Sequence, residues 1–205
     1  MTKTSALSRV AAAALALSAL AAPLMAQAAD GPWLVRARAV HLEAANKDNI
    51  AITDVSINNK WLPEVDFTYF FTPHIAAELI LTYPQKQDVS SSAHGGKIGT
   101  LKHLPPTLTV QYHFLPEGQV RPYVGAGLNY TRFSSVSLPS GFSIDKNSWG
   151  PALQAGLDIP VAKNVYLNVD VKKVYIRTDL SASGTNLGTI KVDPVLFGVG
   201  IGYRF

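Results

Sequence analysis

The residues best suited to chemistry in this 205-residue chain are its histidines and a short run of serines. The five histidines show no pairwise spacing typical of a metal site. A serine activated by a nearby histidine would instead be a nucleophile, as in a lipid-modifying enzyme. The candidate pairs combine Ser91 or Ser92 with His41, His94 or His103.

Established catalytic motifs are missing from the sequence. It has no Gly-x-Ser-x-Gly elbow, no Walker loop and no His-Glu-x-x-His motif. It has no cysteine either, which excludes disulfides and thiolate chemistry. Glycines recur at every second position in residues 198–202, which fits one face of a strand better than a phosphate-binding loop. We therefore predict no enzyme and no cofactor, and keep the lipid-modifying enzyme as the third hypothesis.

The N-terminus has the three parts of a secretory signal. Lys3 and Arg9 are basic, residues 10–22 are apolar, and Ala26-Gln27-Ala28 is a small-x-small cleavage site. We predict that residues 1–28 are a cleaved signal peptide and that residues 29–205 form one domain. The formal net charge is +4, and losing two bases leaves the mature chain near neutral, which gives no reason to expect nucleic acid as a partner.

The mature chain is organised by an apolar pattern with a period of two, which is typical of strands. In residues 33–42, Trp33, Val35 and Ala37 fall on one face while Arg36 and Arg38 fall on the other. Each alternating segment is long enough to cross a bilayer when tilted. The eight segments are 33–42, 61–71, 74–83, 103–114, 121–131, 148–159, 164–176 and 194–205.

The connections between these segments alternate between long and short, as in outer-membrane barrels. The long ones are 43–60, 84–102, 132–147 and 177–193, and the short ones are 72–73, 115–120 and 160–163. The pattern predicts an all-β fold: an eight-stranded antiparallel transmembrane β-barrel with long extracellular loops and short periplasmic turns.

A soluble β-sandwich or a lipocalin-like barrel would show the same alternation with the two faces exchanged. The signal peptide, the loop asymmetry and the terminal Phe205 favour the bacterial outer membrane. An aromatic residue at the end of the last strand is similar to the terminal signal of such barrels. We therefore expect the barrel-assembly machinery to bind Phe205, and outer-membrane lipids to surround the barrel.

Two stretches resemble a known family. They are Leu104-Pro105-Pro106-Thr107 and Arg121-Pro122-Tyr123-Val124-Gly125, with further similarity in residues 146–150, 192–194 and 202–205. The mature chain resembles the OmpW family of small outer-membrane barrels, which includes AlkL, while its long loops show little resemblance. The resemblance implies an eight-stranded barrel with a narrow hydrophobic channel that passes small hydrophobic molecules. It also implies that phages or toxins are partners of some members.

Strand alternation places nine charged residues in the barrel interior, where eight strands leave little open space. Of these, we predict a paired-charge plug formed by Arg36, Arg38, Glu78, Asp158 and Arg204. The simpler interpretation is that such pairs only hold the barrel rigid, and the two are compatible. The remaining inward charges are Glu64, Asp66, Asp170 and Lys172.

Apolar residues also face the interior. Val40, Leu42, Leu62, Ile80 and Leu196 are predicted to line a hydrophobic path, with most of them in the extracellular half. Ordinary filling of the barrel is the alternative. A bulge would exchange the two faces of a strand.

Proline weakens a strand ladder because it has no N–H. Pro105 and Pro106 are the densest case, so we predict a lateral opening beside them. The alternative is that these prolines only end a strand. The leading hypothesis is a passive conduit by which small hydrophobic solutes enter from outside and leave sideways into the membrane. The second is a structural or receptor barrel whose loops bind phage or toxin.

Overall fold

The computed structural model describes residues 31–44, 47–48, 55–57, 59–83, 85–91, 96–137 and 141–205. The predicted signal peptide, residues 1–28, lies outside the described residues. Within the described part no helix is long and apolar enough to span a membrane. The described secondary structure consists of strands: β1 Trp33–Glu43, β2 Lys47–Asp48, β3 Val55–Ile57, β4 Lys60–Phe70, β5 Ile75–Thr82, β6 Gln85–Ser91, β7 Gly96–Leu104, β8 Thr107–His113, β9 Arg121–Ser137, β10 Phe142–Ile144, β11 Asn147–Ala162, β12 Val165–Val174, β13 Arg177–Ala182, β14 Thr185–Lys191 and β15 Val195–Arg204.

Eight of these strands close into a barrel. Neighbours run in the order β11-β12-β15-β1-β4-β5-β8-β9, and β9 pairs with β11 to complete the circle. Every pairing in it is antiparallel, and each strand matches one of the eight alternating segments. The predicted fold class is therefore confirmed. The first and last strands are joined at the periplasmic end, where Trp33 and Phe205 exchange two backbone hydrogen bonds of 3.1 and 2.8 Å.

The alternation of side chains separates the lumen from the outer surface. On β1 the even-numbered residues are buried inside, whereas the odd-numbered ones face outward. The outer surface is covered by large apolar side chains such as Leu108, Val110 and Leu128, each more than half exposed. Such a surface is stable only against lipid, and strands survive there because the closed barrel pairs their backbone groups.

Glycines on the inner face make room for large polar side chains. A Cβ on Gly200 would collide with the carbonyl oxygen of Ala37 and would lie 2.8 Å from the backbone of Arg38. A Cβ on Gly156 would collide with the ring of Tyr123. The glycine pattern therefore serves close packing across the lumen.

The long connections are more regular than the sequence predicts. They contain β2, β3, β6, β7, β10, β13 and β14. β7, β6 and β3 extend the barrel sheet from the upper part of β9, while β10, β13, β14 and β2 form a second sheet. Strand β9 has 17 residues, more than the roughly 9–11 that cross a bilayer, so its extracellular end needs further hydrogen-bond partners. The hairpins supply them.

Candidate functional site: the layered lumen

The lumen is divided into three layers along the barrel axis, and β1 crosses all of them. Its inward residues are, from the periplasmic to the extracellular end, Leu34, Arg36, Arg38, Val40 and Leu42. Each step of two residues rises about 6.6 Å along the strand. The side chains around the barrel continue this order as an apolar floor, a charged belt and an apolar upper layer.

The floor is a small apolar cluster at the periplasmic end. Leu34, Phe70, Ala76 and Tyr166 are buried together there. Arg204, predicted as part of the plug, lies in this floor. Its Nε donates to the carbonyl oxygen of Gly31 at 2.9 Å, and its guanidinium lies 4.1 Å from the ring centre of Phe70.

Arg36 is the centre of the charged belt. Its guanidinium binds both carboxylate oxygens of Asp158, at 3.1 and 2.6 Å. The same group lies 3.1 Å from Asp66, 3.3 Å from Glu78 and 2.8 Å from the hydroxyl of Thr68. These partners stand on β4, β5 and β11, so one side chain connects widely separated strands.

Arg38 forms the next level of the same network. Its guanidinium contacts Glu64 at 2.9 Å, Asp66 at 3.0 Å and Glu78 at 2.9 Å. Its Nε donates to the side-chain oxygen of Asn168 at 2.7 Å. Glu78 therefore receives both arginines and joins the two levels.

Lys172 completes the belt from the opposite wall. Its Nζ lies 2.6 Å from Glu64 on β4 and 2.7 Å from Asp170 on its own strand. Since β12 and β4 are separated by two strands in the barrel, the Lys172–Glu64 pair spans the lumen. The ion pairs define the charged belt: Arg36, Arg38, Glu64, Asp66, Glu78, Asp158, Asp170 and Lys172.

Neutral side chains donate hydrogen bonds to further carboxylate oxygens of the belt. The hydroxyl of Tyr123 and the amide of Gln154 donate to Asp170 at 3.0 and 2.8 Å. The amide of Gln111 donates to Glu78 at 2.8 Å. No member of the charged belt is more than 3% exposed. In the described structure this buried and connected network fills the middle of the lumen.

The apolar upper layer lies above the belt. Its residues are buried to 8% exposure or less and pack against one another in place of an open funnel wall. They come from six barrel strands and from the segments after β12 and β14. The members are Val40, Leu42, Leu62, Phe133, Ala152, Val174, Ile176, Val192 and Leu196.

The upper layer is incomplete on one side of the barrel. Within the described residues, none of its members comes from β5 or β8. Ile80 of β5, predicted as part of the path, is buried in the lumen but stands outside this cluster. The other four predicted path residues lie in it.

The wall between β5 and β8 also stops early. Their pairing runs from Ile75 and Tyr112 up to Ile80 and Thr107, and extends no further in the described part of the chain. Pro105 and Pro106 follow at this point, between the end of β7 and the start of β8.

In the described part of the chain, the backbone at these prolines is held by β9 and by Thr107, whose hydroxyl donates to the carbonyl oxygen of Pro105 at 3.3 Å. The carbonyl oxygen of Pro106 accepts from the N–H of Tyr130 at 3.0 Å, and Asn129 donates its side-chain amide to both proline carbonyls. Tyr130 and Asn129 lie on β9, away from β5. On the other side, Thr82 of β5 has a buried hydroxyl oxygen with no hydrogen-bond partner in the described structure.

Four of the five predicted plug residues lie together in the charged belt. Strand alternation would have identified further members, because they also stand at inward positions. Arg36, Arg38, Glu78 and Asp158 share one network, whereas Arg204 lies apart. Glu64, Asp66, Asp170 and Lys172 were expected inside but were not assigned to the plug. The neutral partners Tyr123, Gln111, Gln154 and Asn168 were missed, although all of them stand at inward positions.

The candidate nucleophile pairs are not assembled where the structure describes them. Ser91 is opposite Gly96 and His103 is opposite Gln85 in the β6–β7 pair, which separates them by about 20 Å. His41 packs on Trp61, with ring centres 5.1 Å apart. Ser92 and His94 lie outside the described residues.

Comparison with known proteins places this geometry in a family. The model of the OmpW family matches residues 29–205. The uncharacterized outer-membrane protein y4mB of Sinorhizobium fredii is 39% identical over 93% of this chain and 90% of its own. The dibenzothiophene metabolism operon protein PahQ of Pseudomonas aeruginosa is 31% identical over 74% of each chain.

Solved structures show the same barrel. The outer membrane protein OprG of Pseudomonas aeruginosa superposes with a TM-score of 0.73 at 27% identity, covering 85% of this chain and 96% of its own. The outer membrane protein AlkL, determined in lipid bilayers, gives a TM-score of 0.70 at 26% identity and covers 88% and 94%. Fold and outer-membrane location agree with the sequence predictions.

Proposed function

Because the chain belongs to the OmpW family of outer-membrane barrels, we propose that it is a passive conduit for small hydrophobic molecules. They enter from the extracellular side and leave sideways into the membrane. One observation carries the proposal: an apolar layer lies above a closed charged belt, beside the place where the β5–β8 ladder ends.

The charged belt supports a sideways exit over a straight one. Pushing an apolar molecule through it would separate buried ion pairs such as Arg36–Asp158, and an unpaired buried charge costs several kcal/mol. Aliphatic side chains in the upper layer offer no such resistance, since they lose only packing when they move. A hydrophobic solute is therefore stable above the belt and excluded from it.

The wall beside Pro105 and Pro106 supports the position of the exit. An intact ladder would seal the barrel. Here the β5–β8 pairing stops at Ile80 and Thr107, and Pro105 and Pro106, which precede Thr107, have no N–H to donate to β5. Val40, Leu42, Leu62 and Leu196 line the other sides of the same level. The proposed route then leads from the apolar upper layer, whose side chains would repack around the solute, past Ile80 and Thr82 into lipid.

The solute class is suggested by a relative. PahQ is named for a dibenzothiophene metabolism operon, and dibenzothiophene is an apolar fused-ring compound. We propose that solutes of this chemistry, flat and apolar, are taken up.

The test measures entry of a fluorescent polycyclic aromatic compound into cells with and without the barrel. The chain has no cysteine, so a pair introduced across the gap is the only one that can form a disulfide. Leu81→Cys with Pro106→Cys occupies the first positions beyond the Ile80–Thr107 pair. Oxidation should remove most of the uptake by this variant, and a reductant should restore it.

The matched control joins the same two strands where they are already paired. Ile75→Cys with Tyr112→Cys lies at the other end of the β5–β8 ladder, so its disulfide should leave uptake unchanged. Uptake that persists through the closed gap would contradict the lateral exit but not the conduit. Equal uptake by cells with and without the barrel would contradict the conduit itself.

A second proposal is that the extracellular strands bind phage or toxin. The observation in its favour is the ordered extension of β9 by β7 and β6 above the membrane. Deleting residues 84–102 removes β6 and most of β7 but leaves the eight barrel strands. Loss of phage or toxin binding with a folded barrel would support this role, and unchanged binding would exclude this hairpin.

A further inference from the structure

The outer surface of the barrel carries an aromatic pair near the extracellular ends of β9 and β11. The rings of Tyr130 and Trp149 lie 4.7 Å apart between centres, and Trp149 is 70% exposed. The hydroxyl of Tyr130 donates to the side-chain oxygen of Asn147 at 2.7 Å. Exposed aromatic side chains with a polar end are typical of the membrane–water boundary.

Basic side chains lie just above this boundary on the same face. Arg132 follows Tyr130 by two residues on β9, so both point outward, and it is exposed. Lys173 and Arg177 stand on either side of Tyr175, with their charged groups each 5.8 Å from the centre of its ring. We call Arg132, Lys173 and Arg177 the basic patch.

Strand register brings the two arginines of the patch near each other. Arg132 is opposite Asn147 of β11, and the N–H of Arg177 donates to the hydroxyl of Ser148 at 3.0 Å. Both arginines thus flank the start of β11. Adjacent strands lie about 4.8 Å apart, so their backbones are separated by about 10 Å. At this separation the long side chains of Arg132 and Arg177 can both reach one phosphorylated headgroup that lies between them.

The patch is only partly neutralised by protein acids. Arg177 lies 3.5 Å from Asp193, whose other carboxylate oxygen accepts from the N–H of Ile176 at 3.0 Å. The side chain of Lys173 donates to the backbone carbonyl oxygen of Asp193. Among the described residues no acid lies within ion-pair distance of Arg132. The patch therefore keeps a positive charge.

The outward positive charge ends at the next strands of the ladder. Val195 of β15 is opposite Lys173, and beyond it the outward residues are Glu43 and His41 of β1 and Trp61 of β4. No lysine or arginine stands outward on β15, β1 or β4 in the described part of the chain. The basic patch therefore has a definite edge on this side.

We propose that the basic patch binds the phosphate groups of the outer-leaflet glycolipid, lipopolysaccharide. Guanidinium groups pair with phosphate oxygens through two parallel hydrogen bonds. The apolar surface below the patch is in contact with acyl chains, while the exposed ring of Trp149 lies at the level of the sugars. Charge, height and surface chemistry all match a phosphorylated lipid of the extracellular leaflet.

The experiment titrates the folded mature barrel in detergent micelles with fluorescent lipopolysaccharide, intact or enzymatically dephosphorylated. Arg132→Ala with Arg177→Ala should weaken binding of the intact lipid about thirtyfold, or about fivefold for each cation. Dephosphorylated lipid should bind the wild-type barrel with a similarly weakened affinity. Arg132→Lys with Arg177→Lys should retain most of the binding.

The matched control removes a cation at the other membrane face. Lys163 is exposed in the turn between β11 and β12, so Lys163→Ala should leave the affinity unchanged. Mobility of unheated samples on gels verifies that each barrel is folded. Arg132→Ala alone is the fallback variant, because within the described residues Arg132 has no ion pair to lose. Equal affinity of the double alanine variant and Lys163→Ala, or equal binding of both lipids to the wild type, would overturn the proposal.

Discussion

The charged belt and the apolar upper layer occupy the same barrel but are built in opposite ways. In the belt, Arg36 and Arg38 each bind acids from more than one strand, and every contact is directional. In the upper layer, nine aliphatic and aromatic side chains from around the barrel pack without directional bonds. The lower lumen is therefore confined to one arrangement of its side chains, whereas the upper lumen can accommodate several.

This contrast follows from the cost of burial. A buried charge is stable only with its partners in place, so any movement in the belt exposes an uncompensated ion. Aliphatic groups can repack at modest cost if the volume is conserved. In the proposed conduit, exclusion of ions and accommodation of hydrophobic molecules therefore fall to layers at different heights.

The largest expected effect comes from breaking the belt at its centre. Arg36→Met keeps the length of the side chain but leaves Asp66, Glu78 and Asp158 without this cation. Removing one partner of a buried ion pair costs about 3–5 kcal/mol, so the free energy of unfolding should fall by that amount. Urea unfolding of the barrel in lipid vesicles, followed by tryptophan fluorescence, measures it.

Arg204 is the matched control for this substitution. It was also predicted in the plug, but it lies in the floor with one hydrogen bond to Gly31 and a ring contact. Arg204→Met should cost about 1–2 kcal/mol. Equal costs at Arg36 and Arg204 would mean that the belt is not a distinct energetic unit.

Alternation in the sequence was enough to predict which residues face the lumen. Residues 33–42 and 164–176 correspond closely to β1 and β12, because every second side chain there is clearly apolar or polar. Alternation was not enough to predict which charged residues form ion pairs with one another. Arg36 and Asp158 are 122 positions apart, and their contact depends on how the strands are staggered around the barrel.

The extracellular strands were not predictable by the same reasoning. β6 and β14 have polar sequences without alternation. They lie in the extracellular connections, where no lipid selects one face of a strand. The start of β8 was placed too early since His103 and Leu104 continue the pattern, although Pro105 and Pro106 separate them from Thr107. Proline breaks a ladder without disturbing the apolar period.

A smaller effect is expected from the upper layer. Leu62→Ala removes a buried side chain and should cost about 2 kcal/mol, at the low end for such changes because the layer can partly refill the space. Leu62→Met, which conserves volume, should cost less than about 1 kcal/mol. The same unfolding measurement applies. A loss from Leu62→Ala as large as that from Arg36→Met would show that the upper layer is as rigid as the belt.

The smallest expected changes in stability concern two threonines on the β4–β5 ladder, each of which is opposite a glutamate. Thr68 faces Glu78 in the belt, and its hydroxyl accepts from Arg36 at 2.8 Å and donates to Asp66 at 3.2 Å. Thr82 faces Glu64 at the gap, and its buried hydroxyl oxygen has no partner in the described structure. Thr68→Val should cost about 1–2 kcal/mol because it leaves charged groups unsatisfied.

Thr82→Val should instead be neutral or stabilise the barrel by up to about 1 kcal/mol, since it replaces an unsatisfied polar group with an apolar one of the same shape. If the lateral route passes Thr82, uptake of the aromatic compound should change in this variant while the unfolding midpoint does not fall. A clear loss of stability would show that the Thr82 hydroxyl does form a hydrogen bond in the folded barrel. The polar groups at the gap would then be hydrogen-bonded like those of the belt.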